Sequence, residues 1–191
     1  PHGTLKKFKH NVNSSITFPQ WTTQMKNVYG QNSIIGIGYL LMSLFRDHIY
    51  KANNSYVPNL FCFGPRQQGK STFVRSLMCL FGQPAQPDGI NLEQGTTSTS
   101  MNRTIASYRN GMIWFNEFKN TISDYKIGLL KGIADGSGKS VGLKTAGNET
   151  RTVTPLSTAV ISGQHLPSEP ALFSRCVMLE FDGTKRNNEA F

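Results

Sequence analysis

Residues 59–72 constrain this chain more than any other stretch of its sequence. They read NLFCFGPRQQGKST, in which a short apolar run is followed by Gly64, four further residues and then Gly69, Lys70 and Ser71. This is the G-x-x-x-x-G-K-[ST] spacing of a phosphate-binding loop that joins a strand to a helix. The glycines let successive backbone N–H groups turn toward phosphate oxygens. The pattern therefore predicts a buried strand, a nucleotide-binding loop and a helix that begins near Lys70.

The residues of this loop have separate expected roles. Lys70 would reach the β- and γ-phosphates, and the Ser71 hydroxyl would ligate Mg²⁺. The N-terminus of the following helix would place a positive dipole end behind the phosphates. We therefore expect ATP and Mg²⁺ as cofactors, with the nucleotide bound by Gly64, Pro65, Arg66, Gln67, Gln68, Gly69, Lys70, Ser71 and Thr72. The alternative interpretation is an ordinary Gly-rich turn.

The length and charge of the chain bound what it can be. Its 191 residues are enough for one α/β domain with a sizeable core. The first residue is Pro1 rather than Met, which favours a piece of a longer protein. Lys and Arg number 20 against 11 Asp and Glu, which gives a net charge of +9. Beside a nucleotide site, this excess indicates a second polyanion, most simply nucleic acid, and a basic surface without a partner is the alternative.

The cysteines and histidines do not show the spacing of metal ligands. Cys62, Cys79 and Cys176 are odd in number, widely spaced and set in apolar runs, so we predict reduced core residues of a cytosolic protein. The longest apolar stretch, residues 33–45, is shorter than the roughly 20 residues that a membrane span needs. No signal peptide is visible. We expect a cytoplasmic protein without membrane contact.

Composition and periodicity divide the chain into three parts. These are a flexible basic arm (residues 1–15), a small helical collar (16–58) and a P-loop ATPase domain (59–191). The collar has helical spacing over residues 21–29 and 33–48, and residues 51–58 are predicted as a loop.

The ATPase part contains five apolar runs that predict parallel strands. They cover residues 60–63, 90–92, 112–115, 158–162 and 176–181. Helices are predicted between them, near 98–108 and 125–134, so the expected fold class is a three-layer α/β sandwich of the P-loop NTPase type. Ligands bind at the carboxyl ends of the strands in such open sheets, so the nucleotide should lie there.

The run 112–115 ends in Asn116 and Glu117. In P-loop motors an acidic pair stands at such a strand end, and its first residue, usually Asp where this chain has Asn116, holds the Mg²⁺ shell. The second orients and deprotonates the attacking water. We therefore expect Asn116 at the metal and Glu117 as the catalytic base. Asn116 can accept a hydrogen bond from a Mg²⁺-bound water but brings no charge, and a buried strand that simply ends in a turn is the alternative.

Two further residues complete the expected catalytic set. Gln164 follows the strand at 158–162 and should lie beside the γ-phosphate, between the loop and Glu117. Its neighbour His165 is not expected to bind metal. Arg175 directly precedes the last strand and is predicted to act on the nucleotide of an adjacent subunit, an effect worth about 10³ to 10⁵ in rate. A surface position or an intramolecular ion pair is the alternative for Arg175.

A basic hairpin is predicted before the strand at 158–162. Residues 140–145 and 150–154 are β-prone and flank Ala146, Gly147, Asn148 and Glu149. The expected DNA-binding residues on this hairpin are Lys139, Lys144 and Arg151. A solvated surface hairpin is the alternative.

Taken in this order, the segments resemble the superfamily 3 helicases, in particular the P-loop ATPase domain of viral, phage or mobile-element primase-helicases. The resemblance covers roughly residues 59–181 and is carried by GPRQQGKST, WFNEF, LLKGIADGSGKSVGLK, ISGQHLP and FSRCVMLEF. Lys131, Gly136 and Lys144 match the family's lysine, turn and DNA-contacting hairpin. The family has an acidic residue where Asn116 stands and Asn where Gln164 stands.

The resemblance implies a hexameric ring, ATP hydrolysis at subunit interfaces and translocation along one DNA strand. It also implies a primase domain in the same chain. Our first hypothesis is therefore an ATPase that acts as a DNA helicase in replication, as a homo-oligomer on single-stranded or forked DNA. The second is an ATP-dependent assembly switch or replication initiator that binds DNA without unwinding it. The third, a small-molecule phosphotransferase, would need a substrate lid and acceptor pocket that the sequence does not suggest.

Overall fold

A computed structural model describes residues 15–81, 89–93, 97–142 and 150–183 of the chain, with the backbone alone described over 139–142 and 150–153. The helices are α1 (Phe18–Tyr29), α2 (Gln31–Leu44), α3 (Arg46–Ala52), α4 (Lys70–Met78), α5 (Ser98–Ala106), α6 (Asp124–Asp135) and α7 (Pro170–Phe173). The strands are β1 (Asn59–Phe63), β2 (Ile90–Asn91), β3 (Arg109–Phe118), β4 (Lys139–Gly142), β5 (Thr150–Val153), β6 (Leu156–Gly163) and β7 (Cys176–Glu180).

Five of these strands form one parallel sheet in the order β2-β3-β6-β1-β7. All five predicted strands are confirmed. The longest, β3, extends beyond the predicted 112–115 at both ends, because the backbone of its polar flanks also pairs with β6, from Arg109 to Phe118. Strand pairing uses main-chain groups, so polar side chains at the ends of an apolar run do not stop it.

The sheet is covered on both faces, which confirms the three-layer α/β sandwich. Side chains alternate along each central strand, so that Trp114 belongs to one apolar cluster and its neighbour Phe115 to the other. The first cluster joins the sheet to α1, α2 and α4, and the second joins it to α5, α6 and α7. Helices α1 and α2 share this core with α4 and the sheet, so they belong to one of the two helical layers of the sandwich. The division of the chain at residue 58 stays a prediction.

The predicted helix over 33–48 is wrong in its bounds, because the structure breaks it at Phe45. Helix α2 ends at Leu44, and α3 begins at Arg46 and runs to Ala52, into the predicted loop. The start of α3 is tied to the start of β3, where Arg109 Nε donates to Asp47 Oδ2 at 2.9 Å. The backbone N–H of Asp47 donates to Asn110 Oδ1 at 3.2 Å. These contacts fix the start of α3 against the start of β3.

The cysteine prediction is confirmed for Cys62, which is fully buried, and wrong for Cys79. Cys79 is exposed in the short 3₁₀ turn that follows α4, where its thiol donates to the Ser76 carbonyl at 2.9 Å. Burial raises the pKa of the Cys62 thiol. Among the described residues, no helix is long and apolar enough to cross a membrane. The basic arm up to residue 14 and most of the Pro/Gly-rich turn, residues 82–88, lie outside the described residues.

Candidate nucleotide site

The strand order assembles the candidate site at one edge of the sheet. Strand β6 pairs with β1 on one side and with β3 on the other. All three are parallel, so their carboxyl ends lie at the same edge. The phosphate-binding loop follows β1, Asn116 and Glu117 lie near the end of β3, and Gln164 follows β6. Gln164 therefore follows the strand that lies between β1 and β3 in the sheet.

The loop takes a backbone path that requires glycine at its first position. Gly64 has φ +139°, and a Cβ built there would lie 2.0 Å from the carbonyl oxygen of Phe181. The same segment is fixed by the Phe181 N–H, which donates to the Phe63 carbonyl at 2.8 Å. At the other end, Gly69 has φ +85° and precedes the first turn of α4. The loop is therefore held between β1, the end of β7 and α4.

Lys70 lies across the inside of this loop. Its Nζ donates to the carbonyl of Gly64 at 2.7 Å and also to the carbonyl of Pro65. Partial burial lowers the pKa of the ammonium, while the negative charge of Glu117 acts in the opposite direction. The ammonium is therefore held by main-chain carbonyls inside the loop.

The remaining loop residues present polar groups to solvent or to the end of the sheet. Pro65, Arg66 and Gln67 are exposed, and Gln67 has a positive φ of 62°. A Cβ on Gly183 would lie 2.4 Å from Gln68 Oε1, so the chain after β7 passes directly against the loop. Ser71 and Thr72 are half-buried in the first turn of α4, where their hydroxyls belong to the expected nucleotide and Mg²⁺ site.

An irregularity in β3 sets the position of Glu117. Phe115 pairs with Ile161 but Phe118 pairs with Gly163, so β3 advances three residues where β6 advances two. This is a β-bulge, which leaves one residue unpaired and re-aims its side chain. Glu117 has φ +55° at this bulge and is exposed. Backbone strain of this kind is concentrated at functional sites in proteins.

Asn116 is held by a chain of buried hydrogen bonds. The Ser162 hydroxyl donates to Asn116 Oδ1 at 2.8 Å, and Trp114 Nε1 donates to Ser162 Oγ at 2.8 Å. Neither Ser162 nor Trp114 is among the site residues predicted from the sequence. The available signal was the position of Ser162 near the end of β6, two residues before Gln164.

Gln164 is half-buried directly after β6, and His165 is exposed. The preceding Gly163 allows β3 and β6 to approach closely, since a Cβ there would lie 2.8 Å from the Phe118 carbonyl oxygen.

Arg175 lies at the opposite end of the sheet from the loop, because it immediately precedes β7. Its Nε donates to both carboxylate oxygens of Asp135, at 2.9 and 3.0 Å, and its Nη1 donates to the Ala171 carbonyl at 2.8 Å. This is the intramolecular ion pair that the sequence left open as the alternative. Action on a neighbouring subunit's nucleotide stays a prediction.

The predicted hairpin pairs as two antiparallel strands. Lys139 lies opposite Val153, and Val141 lies opposite Arg151. Lys144 falls outside the described residues. The DNA-binding role of Lys139, Lys144 and Arg151 stays a prediction.

The donor set of the candidate site fits Mg²⁺ together with a nucleoside triphosphate. The ion prefers oxygen ligands and commonly takes one or two from protein, with phosphates and waters completing the shell. The Ser71 hydroxyl, the Asn116 amide oxygen and the Glu117 carboxylate are such oxygens. Among the described residues, no group of three or more His, Cys, Asp and Glu side chains forms an independent metal site.

Comparison with known proteins places the fold but not the family. No family model matches this chain, and no curated protein matches it. Among similar solved structures, SCCmec type IV Cch, described as an active helicase, aligns with a TM-score of 0.58 at 17% identity, over 92% of this chain and 34% of its own. The fold of the present chain is that of the P-loop NTPases.

Two further structures give the same architecture at lower similarity. An inhibitor-bound JCV helicase aligns with a TM-score of 0.51 at 17% identity, over 94% of this chain and 48% of its own. The C-terminal region of NrS-1 aligns with a TM-score of 0.50 at 12% identity, over 98% of this chain and 42% of its own. The present chain spans less than half the length of each of these structures. At these identities the likeness concerns the fold alone.

Proposed function

We propose that this chain is the ATP-hydrolysing domain of a DNA motor of the helicase type. The observation that carries the proposal is the strand order, which brings the phosphate-binding loop, Glu117 and Gln164 to one edge of the sheet. A phosphate cradle, a carboxylate and a polar residue between them are the parts that ATP hydrolysis needs.

Each residue has a defined task in this proposal. Lys70 exchanges its hydrogen bonds to the loop carbonyls for hydrogen bonds to phosphate oxygens. Its partly buried ammonium is then paired with negatively charged oxygens. Ser71 and Asn116 hold the Mg²⁺ shell, and the ion neutralises developing charge on the phosphates when it is bound. Glu117 orients the attacking water and accepts its proton, and Gln164 contacts the γ-phosphate.

The positive charge of the chain supports DNA as its partner. The chain carries a net charge of +9, and strands β4 and β5 contribute Lys139 and Arg151, with Lys144 following β4 in the sequence. We propose that this hairpin binds DNA phosphates, and that a homo-oligomeric ring supplies Arg175 to the neighbouring nucleotide. The position of Arg175 at the far edge of its own sheet supports action in trans, since it cannot serve the site of its own subunit from there.

The first test is steady-state ATP hydrolysis with and without single-stranded DNA, at low and at moderate salt. We expect hydrolysis that DNA stimulates and that salt weakens, because phosphate contacts release counterions. Lys144→Ala should lose most of the stimulation, whereas Lys51→Ala, which removes an exposed lysine of α3, should keep it. Hydrolysis that is indifferent to DNA would contradict the motor.

A second candidate is an ATP-dependent assembly switch or replication initiator. Two observations favour it: Arg175 is paired with Asp135 within the chain, and Asn116 brings no charge to the metal site. Both features are expected to slow hydrolysis and prolong the ATP-bound state. Strand displacement by the assembled protein separates the two, because a switch binds DNA and nucleotide without unwinding.

A further inference from the structure

The hydrogen-bond chain from Trp114 through Ser162 to Asn116 points to a function for Ser162. We propose that Ser162 is a positioning residue that sets the orientation of the Asn116 amide at the Mg²⁺ site. This inference rests on the proposed ATP-binding function. Ser162 and Trp114 are only 1% and 2% exposed, so neither group exchanges its partner for bulk water.

The direction of the bonds in this chain is fixed by what each group can do. An indole N–H only donates, so Ser162 Oγ must accept from Trp114 Nε1. The single hydroxyl proton is then directed to Asn116 Oδ1, at 2.8 Å. With the amide turned over, its NH₂ would face Oγ and the hydroxyl proton would lose this acceptor. The chain therefore selects one of the two amide orientations.

The selected orientation has a consequence for the metal shell. A carbonyl oxygen has two lone pairs, so Asn116 Oδ1 can accept from Ser162 and also from a Mg²⁺-bound water. The torsion that turns a terminal amide is broad and roughly two-fold, so an unanchored Asn presents oxygen and nitrogen interchangeably. A carboxylate presents oxygen either way and needs no such anchor. Because residue 116 is a neutral Asn, the Ser162 hydroxyl is necessary to keep the amide oxygen directed at the Mg²⁺ site.

The same strand provides a matched control. Ser157 is also a buried serine of β6, at 0% exposure, and its hydroxyl has no hydrogen-bond partner among the described residues. Ser157→Ala removes the same atom from the same strand near its opposite end. It should affect packing as Ser162→Ala does without touching Asn116.

The experiment measures binding of a non-hydrolysable ATP analogue by calorimetry over a series of Mg²⁺ concentrations. Ser162→Ala should weaken the apparent Mg²⁺ affinity about tenfold, the low end of the range for outer-shell partners of a metal ligand. Its affinity for the nucleotide without Mg²⁺ should stay unchanged. Ser157→Ala should resemble the unaltered chain, and Trp114→Phe should lose Mg²⁺ affinity in the same direction but less.

Combination with Asn116→Ala distinguishes positioning from a general structural effect. If Ser162 acts through Asn116, then Ser162→Ala should cause no further loss of Mg²⁺ affinity in the Asn116→Ala background. Additive losses, or a Ser162→Ala curve equal to that of Ser157→Ala, would overturn the inference while leaving nucleotide binding intact. If Ser162→Ala does not fold, Trp114→Phe carries the same comparison. Failure of the unaltered chain to bind the nucleotide would instead overturn the proposed function, and this inference with it.

Discussion

At the residue scale, Glu117 is held in a strained backbone conformation at the candidate site. Its left-handed backbone conformation, with φ +55°, costs a residue with a Cβ roughly 1 to 3 kcal/mol. The conformation persists because β3 resumes pairing with β6 immediately afterwards, at Phe118 and Gly163. The sheet, not the intrinsic preference of glutamate, therefore determines where this carboxylate lies.

We expect Glu117→Gln to retain nucleotide binding and to lower ATP turnover by about 10²-fold or more, because the amide cannot accept the proton of the attacking water. Nucleotide affinity by calorimetry and steady-state hydrolysis would separate the two effects. The control is Glu93→Gln, which removes a carboxylate that follows β2 and pairs with Lys119 at 2.5 Å. Turnover that survives in Glu117→Gln would remove Glu117 from the mechanism.

At the element scale, helix α2 is packed directly onto the helix that follows the phosphate-binding loop. A Cβ on Gly36 would lie 2.4 Å from Cζ of Phe73, which is fully buried in α4. Asn32 Nδ2 donates to the Glu180 carbonyl at 2.7 Å, which ties the start of α2 to the end of β7. Through these two contacts, α2 supports both sides of the loop.

The two glycines of α2 should respond in opposite ways to alanine. Gly36→Ala should lower the free energy of unfolding by about 1 to 3 kcal/mol, because the new methyl group has no room beside Phe73. Gly38→Ala should raise it by about 0.5 to 1 kcal/mol, since nothing lies within 4 Å of its Cβ position and alanine favours the helix. Urea denaturation of both variants checks this pair. Equal effects would contradict the packing of α2 on α4.

Helices α6 and α7 are joined by an ion pair that responds to pH. Lys131 Nζ donates to Glu169 Oε1 at 3.0 Å, and this bond lowers the pKa of Glu169 below its ordinary value. The folded state therefore holds the Glu169 proton less tightly than the unfolded state. The resulting stability is present above the ordinary carboxylate pKa and is lost as the pH falls through the lowered value.

We expect Glu169→Gln to be less stable than the unaltered chain at neutral pH, by less than about 1 kcal/mol because the half-buried pair is still screened by solvent. The difference between the two should shrink as the pH is lowered into the acid range. Denaturation curves at several pH values measure it. In a Lys131→Met background the difference should be small at every pH; a difference that stayed large there would assign the effect to the cap of α7 instead.

Local patterns in the sequence predict some of these features and miss others. The apolar runs predict the strands because the three central ones, β1, β3 and β6, are buried on both faces. The spacing of Gly64 and Gly69 predicts the loop. The break at Phe45 was missed because this residue continues the helical spacing and no Gly or Pro interrupts it. The bond between Trp114 and Ser162 joins strands 48 residues apart, so no local pattern contains it.

At the scale of the whole molecule, the candidate site depends on the completed sheet. The residues of the site lie at the ends of three strands, β1, β3 and β6. Strands β1 and β3 do not pair with each other because β6 lies between them. A ligand that binds only this assembled edge must stabilise the entire sheet against unfolding.

A Mg²⁺-bound ATP analogue at about 100 times its dissociation constant should therefore raise the free energy of unfolding by about 2.7 kcal/mol. Lys70→Ala should abolish most of this increase, because its ammonium is the charge expected at the phosphates. Urea denaturation with analogue and Mg²⁺, with Mg²⁺ alone and with neither measures it. Equal stabilisation by Mg²⁺ alone would contradict nucleotide binding as the cause.

The order of the strands also bears on how a newly made chain reaches its folded state. Strand β1 is synthesised before both of its neighbours, β6 and β7, which come from the last part of the described chain. During translation, the main-chain groups of β1, and those of β3 that pair with β6, therefore stay unpaired until residues 156–163 leave the ribosome. Apolar strands with open edges attract other chains. Nascent chains of this protein are thus expected to need protection by chaperones, and fragments that stop before residue 156 should aggregate.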